Sequence, residues 1–429
     1  MFESIFKLKE HNTTARTELV AGMTTFLTMA YIIFVNPQIL GTAGMDQGAV
    51  FVSTCLAAAL GCFIMAFFAN WPIGMAPGMG LNAFFAFTVV GAMGYTWQQA
   101  LGAVFISGII FIILTATGIR AWLIEGIPKS LRSAIVAGIG LFLAFIALQT
   151  SGIVVANPAT LVAHGDLTSY EVIFTIIGFF IIVALDTLRV RGAILIGILS
   201  VSILSILFGY TDAPSSPISM PPSVAPTFMQ LDVLGVLHVG FINIILVFVL
   251  VEVFDATGTL IGVAKRAGLM PEGKPSRLGK ALFADSTAIL GGSLLGTSST
   301  TAFAESAAGV QSGGRTGMTA MVVGILFLLS LFFSPIAGVI PAYATAPALL
   351  YVAGLMMREL VEIDWSDPTE AVPASLTALI MPFTYSIAEG IAFGFISYVV
   401  LKLITGKAKE LHFATIIVAT LFVIRFGMA

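Results

Sequence analysis

Between Glu18 and Arg120 the chain carries a single formal charge, Asp46. A helix needs about 20 predominantly apolar residues to span a bilayer core, so this stretch of roughly a hundred residues has to cross a membrane several times. The remainder of the 429 residues agrees: 19 Lys+Arg and 22 Asp+Glu make a charged fraction of 10%, where soluble domains carry about 25%. Mean hydropathy is +1.04. A soluble enzyme, a nucleic-acid binder and a disordered chain are excluded, which leaves an all-α polytopic membrane protein.

At the N-terminus, Phe2, Ile5, Phe6 and Leu8 interleave with Lys7, Lys9 and Glu10. Residues 1–17 therefore read as a cytoplasmic amphipathic segment lying on the membrane surface. They hold no continuous apolar stretch ending in a small-residue cleavage site, which argues against a signal peptide. Cys55 and Cys62 share one apolar run and are expected to be small packing residues rather than a disulfide or metal site.

Apolar runs fall at roughly 18–36, 49–69, 73–91, 97–118, 130–149, 168–186, 192–210, 238–263, 281–296, 297–312, 317–334, 340–357, 373–404 and 411–427. All are expected to be helical, because lipid offers no partner to an open strand edge. The connections at 37–48, 92–96, 150–167, 211–237 and 335–339 contain no Lys or Arg, whereas the alternate ones hold Arg120, Lys129 and Arg132; Arg189 and Arg191; then Lys265, Arg266, Lys274, Arg277 and Lys280. By the positive-inside rule the second set, with the N-terminus, faces the cytoplasm of a multi-pass protein in the cell (inner) membrane. Residues 373–404 allow two readings. One span places Lys402, Lys407 and Lys409 outside; a hairpin turning near Ser386 to Gly390 restores the bias and makes 411–427 an extra crossing or a surface helix.

The chain divides at an external loop where Pro214, Pro217, Pro221, Pro222 and Pro226 forbid a helix. About seven spans lie on each side, and an odd number sets the two halves in opposite senses across the membrane, the inverted-repeat plan of many secondary transporters. Interrupted segments occupy matching places. The first runs from Trp71 through Pro72, Gly74, Pro77, Gly78 and Gly80 to Asn82, Ala83, Phe84 and Phe85; the second runs from Gly291 and Gly292 through Gly296, Thr297, Ser298, Ser299, Thr300 and Thr301 to Phe303, Ala304, Glu305 and Ser306. Extended chain followed by a half-helix is expected in each, with Ser and Thr as caps. Asn82 and Glu305 sit just inside the two half-helices, about half a chain apart. Such paired breaks point to a substrate site at the membrane midplane; close helix packing by small residues is the blander reading.

Three carboxylates lie deep in apolar sequence: Glu252 and Asp255, three apart on one helix face, and Glu305. Acids at such depth are functional by default and serve proton relays. Asp285, five residues from Lys280, is expected to reach the cytoplasmic edge in a structural role, and Glu389 to be held by solvent or an interface at the hairpin turn. Acceptor carboxylates with an amide suit a neutral, planar ligand rich in N–H donors and ring acceptors, such as a nucleobase, and disfavour an anion. Phe84, Phe85 and Phe303 offer aromatic faces for stacking.

At these residues the chain resembles the nucleobase:cation symporter-2 family, and within it the AzgA-like adenine, hypoxanthine and guanine permeases. The matching pieces are Thr24 to Tyr31 with Val35-Asn36-Pro37, Gly78 to Phe84, Glu252 to Leu260, and Gly296 to Thr301 through Glu305-Ser306. The resemblance implies a seven-plus-seven inverted repeat with core and gate domains, and short extended pieces before half-helices in the third and tenth spans. The corresponding division is core at 18–118 and 238–337, gate at 119–210 and 338–429, and external loop at 211–237. It further implies proton-driven uptake of purine nucleobases by alternating access, with no cofactor beyond the coupling proton. Carried over by motif, Asn82, Phe84, Glu252, Phe303, Ala304 and Glu305 resemble the purine-binding set, the backbone at Phe303 and Ala304 touching the ring. Asp255 resembles the proton-coupling partner, with Glu305 and Glu252 beside it. Glu252 departs from the pattern, since many members carry Asp there, and the longer acid bears on fine specificity. Membrane lipid and a second copy, docked through the gate domain, are the implied partners.

Two rivals share the fold: an anion carrier of the sulfate or bicarbonate type, and a pyrimidine or xanthine permease. An enzyme is disfavoured, because His11, His164, His238 and His412 all fall at or beyond span ends and no catalytic dyad is evident.

Overall fold

Helix α1 (Phe2–Phe6) is followed by α2 (Ala15–Met29) and α3 (Ile32–Thr42), which are separated by the two residues Ala30–Tyr31 and together form one apolar span, Ala15–Thr42, containing the run expected at 18–36. The computed structural model to which these elements belong describes residues 2–239, 241–269 and 277–428, so Lys274 lies outside the described residues. Asp46, the lone charge of the long apolar stretch, caps α4 (Gln47–Ile64) by accepting the Ala49 amide at 2.7 Å. Helix α4 continues as a π-helical turn through Ala69.

The first half then runs through β1 (Met75–Pro77), α5 (Met79–Ala83) with a π-helical continuation to Ala92, α6 (Trp97–Ala116), α7 (Ile119–Gly126) and α8 (Lys129–Thr150). A hairpin of β2 (Val154–Asn157) and β3 (Leu161–His164) leads to α9 (Tyr170–Thr187) and α10 (Ala193–Leu207). After the proline-rich loop come α11 (Val233–Val239), α12 (Phe241–Arg266), α13 (Leu278–Leu295), β4 (Thr300–Ala302) and the six-residue α14 (Ser306–Gln311). The chain closes with α15 (Gly317–Ser330), α16 (Ser334–Gly338), α17 (Ala342–Met356), α18 (Pro368–Thr384), α19 (Ile387–Ile404) and α20 (Phe413–Met428). Among the described residues nine helices are long and apolar enough to cross a membrane.

Seven segments of each half correspond in order, giving the seven-plus-seven inverted repeat. One packed group holds α2, α4, α6, α13 and α15 with the two breaks β1–α5 and β4–α14; the other holds α8, α9, α10, α17, α18 and α19. The break segments meet across the repeat. Strands β1 and β4 pair antiparallel in the register Met75–Ala302, Ala76–Thr301, Pro77–Thr300. The expectation that every apolar run is helical is corrected here: 297–312 is a strand and one short helix. Lipid excludes unpaired strands, but these satisfy each other and every residue of both is buried.

The ambiguity at 373–404 is resolved as a hairpin. Helix α18 ends at Tyr385, which is left-handed at φ 56°, and Ser386 caps α19 on the Glu389 amide. Helix α20 returns alongside α19, with Arg425 paired to Glu389 and Phe422 and Phe426 against Phe395 and Phe393. Among the described residues it has no counterpart in the first half. At the other end of α19, Lys402 is 1% exposed and bridges Glu370 at 2.7 Å and Glu410 at 2.6 Å, while Lys407 bridges Asp367 at 2.6 Å.

In the N-terminal segment Phe6 and Leu8 are buried against Ala66, Met318 and Ala320, while Ile5 stays exposed, so part of its apolar side packs on protein. Cys55 and Cys62 are free and buried; the Cys62 sulfur accepts the Met75 amide at 3.1 Å and so steadies β1.

Candidate functional site

Pro72 and Pro77 lack amide donors and cannot sit inside a helix, whereas β-branched Thr300 and Thr301 favour extended chain. The resulting two-strand ladder is lengthened at both ends, with Phe303 N donating to Gly74 O at 3.0 Å and Gly78 N to Ser299 O at 2.9 Å. The Ser306 hydroxyl accepts the Gly74 amide at 2.9 Å. A Cβ at Gly78 would lie 2.8 Å from Thr301 Cγ2, so glycine permits the close approach.

The chain leaves each strand for a helix, and the side chains singled out by motif gather where it does. Asn82 on α5 is fully buried and its Oδ1 accepts from the Ser298 hydroxyl; its Nδ2 has no partner among the described residues. Glu252 on α12 is fully buried, with Oε1 accepting from the Ser299 hydroxyl and Oε2 without a partner among the described residues. Two adjacent serines ahead of β4 thus orient the amide and the acid. Glu305 is the residue before α14 rather than one inside it, and it makes no capping bond. Its carboxylate accepts from the Tyr31 hydroxyl at 2.6 Å instead. Tyr31 lies between α2 and α3.

Asp255 is half-buried one turn along α12 from Glu252, and its carboxylate oxygen lies 3.6 Å from where a Cβ of Gly78 would stand. Asp255, Gly258, Thr259 and Gly262 recur at helical spacing, exposed or half-buried, with nothing within 4 Å of a Cβ built on either glycine. This exposed face runs from Asp255 toward the Arg266 end of α12, and fully buried Glu252 is not on it. Exposed Ala304 and half-buried Glu305 follow β4 directly. Phe84 is fully buried with its ring edge-on to Phe248 at 4.9 Å, and Phe85 and Phe303 are buried as well. The Phe303 amide is committed to the ladder and its carbonyl accepts from Ser306 N at 3.1 Å.

Asp285 does not reach solvent. It is fully buried, ion-paired to Arg120 at 2.9 Å, and accepts from the Thr301 hydroxyl at 2.9 Å. Arg120 lies in the α6–α8 connection, on α7, and is fully buried there. The expected reach of Asp285 toward solvent is replaced by this pair: each ion supplies the other's countercharge, so neither needs water. Glu389 is held by Arg425, as an interface would hold it. Tyr31, Ser298, Ser299 and Arg120 join the constellation without having been singled out by position. The signal for the serines was the hydroxyl run 297–301, whose side chains turn to the site rather than to helix caps.

Broken half-helices paired at the centre of an inverted repeat, with buried acids opening to one side, define a membrane transporter and not an enzyme. In three-dimensional structure the chain is similar to the transmembrane domain of a cyanobacterial bicarbonate transporter, BicA, with a TM-score of 0.64 over 90% of this chain and 97% of that one at 16% identity. In sequence it is 52% identical to the adenine permease AdeP of Escherichia coli K12 over 99% of this chain and 96% of that protein. It is 47% identical to the guanine/hypoxanthine permease PbuG of Bacillus subtilis 168 over 96% of each. The sequence model of the permease family matches residues 16–393. The chain belongs to that family, the nucleobase:cation symporter-2 permeases.

Proposed function

We propose that the chain takes up purine nucleobases, adenine, hypoxanthine and guanine among them, driven by protons and working by alternating access. The observation that carries this reading is the convergence of Asn82, Glu252 and Glu305 on the β1–β4 ladder, with Asn82 Nδ2 and Glu252 Oε2 buried and unpartnered. A buried polar atom left unpaired costs about 1–3 kcal/mol, which a ligand of matching chemistry relieves. A purine offers ring nitrogens to the amide and N–H groups to the acids. Ala304, exposed beside Glu305, is the better-placed backbone contact for the ring, and Phe84 and Phe303 close the pocket wall. An anion would meet Glu252, Asp255 and Glu305 with one cation, Arg120, already spent on Asp285, which disfavours the bicarbonate-type alternative.

In this reading Asp255 takes the coupling proton, because it faces the open side of α12 while Glu252 and Glu305 are held by hydroxyl donors. The core is 18–118 with 238–337 and the gate 119–210 with 338–429, the Arg266 end faces the cytoplasm with the N-terminus, and the inner membrane is the location. A homodimer through the gate and contact with membrane lipid belong to the same reading, which requires no cofactor and no nucleic acid.

Uptake of radiolabelled adenine, hypoxanthine, guanine and uracil into cells lacking their own carriers tests it directly. Accumulation of purines that collapses with a protonophore is expected. Uptake of none of the four sinks the substrate assignment, and dependence on sodium with indifference to the protonophore overturns the coupling.

A further inference from the structure

Arg120 is a fully buried cation on α7, the short helix that joins α6 of one packed group to α8 of the other. Its guanidinium lies 4.6 Å from the Phe111 ring centroid, donates to Asp285 at 2.9 Å, and reaches Ser286 Oγ and Leu282 O at 3.3 Å. The other Asp285 oxygen accepts from Thr301, the central residue of β4. Arg120 is thus one carboxylate away from the strand that leads into Ala304 and Glu305. The far end of α7 is fastened as well: Gly126 O accepts from the Thr415 hydroxyl of α20 at 2.7 Å, and the Trp122 and His412 rings stand 5.4 Å apart. A Cβ at Gly126 would come within 2.1 Å of His412 Nδ1, so the two helices touch there.

We propose that Arg120 is a positioning residue for the substrate strand: through Asp285 it holds Thr301, and with it β4, in register with α7 and so with the segments α7 carries. A buried ion pair on its own does not argue for a role, since apolar replacements of such pairs are often as stable. What distinguishes this one is that the carboxylate's second oxygen is spent on the strand itself. The inference rests on β4 being the substrate strand.

The test uses the full-length chain in membranes. Ala304→Cys places a thiol beside Glu305, and because Cys55 and Cys62 are buried, the unmodified chain gives the background for alkylation by a maleimide. Into this chain go Thr301→Val, which leaves the ion pair intact, and Arg120→Met with Asp285→Asn, which removes both charges together and so avoids an orphaned buried ion. The two changes are then combined. Each is expected to alter the labelling rate about five-fold and, in the chain without the added thiol, to raise the KM for purine uptake about five-fold, the combination being no worse than the larger single effect. Arg120→Lys should recover part of the loss. A role in stability alone would lower the amount of folded protein and leave KM and labelling per folded molecule unchanged, and that result overturns the proposal, as do effects that simply add. Labelling requires no purine, so a chain that transports none fails the substrate assignment and leaves this arm readable.

Discussion

Glu305→Ala lowers purine uptake about a hundred-fold in the expected outcome, since a lost hydrogen bond to an ionised group costs about 1.5–3 kcal/mol and each 1.4 kcal/mol is about tenfold. Glu305 is half-buried directly after β4, and its one side-chain partner among the described residues is the Tyr31 hydroxyl at 2.6 Å. Tyr31→Phe removes that donor and keeps the acid, so a smaller loss, about tenfold, is expected from the looser carboxylate. Measured KM and Vmax for the two variants separate binding from orientation. Normal affinity in Glu305→Ala would move the pocket away from β4 altogether.

Asp255→Asn is the second large effect, and it has a different signature. The asparagine fills the same space but cannot take or release a proton, so uphill accumulation should vanish while exchange of labelled for unlabelled purine across proteoliposomes persists. The argument is positional: Asp255 is half-buried on the face of α12 that opens toward Arg266, whereas Glu252 is fully buried under Ser299. Proton transfer requires such access, and intramembrane acids lining a cavity commonly provide it. Gradient-driven accumulation at the wild-type level in this variant would exclude Asp255 as the coupling group.

Much of this arrangement was legible from residue order. Charge scarcity gave the spans, and Pro and Gly marked both breaks, because backbone that cannot be helical within a membrane has to be stabilised by something local. Asn82, Glu252, Asp255 and Glu305 stood out because an ionisable or amide side chain at that depth is costly. Partners were not legible. That Ser298 turns to Asn82 and Ser299 to Glu252 depends on how two segments more than two hundred residues apart fall into register. That Arg120 is buried against a partner was not legible either, because a countercharge 165 residues away leaves no trace in a single sequence. The Tyr31 contact was hidden for the same reason, since Glu305 lies 274 residues away.

The β1–β4 ladder also has a consequence for biogenesis. Its two strands belong to opposite halves, and Ala76 is paired only when Thr301 arrives. As the chain emerges, the first seven segments enter the bilayer with Gly74 O and Gly78 N still without Phe303 N and Ser299 O, the partners they take in the finished fold, and lipid cannot stand in for them. The first half is therefore an unfinished structure however long it waits, and the substrate strand is the piece that completes it. Assembly of the site and closure of the fold are one event.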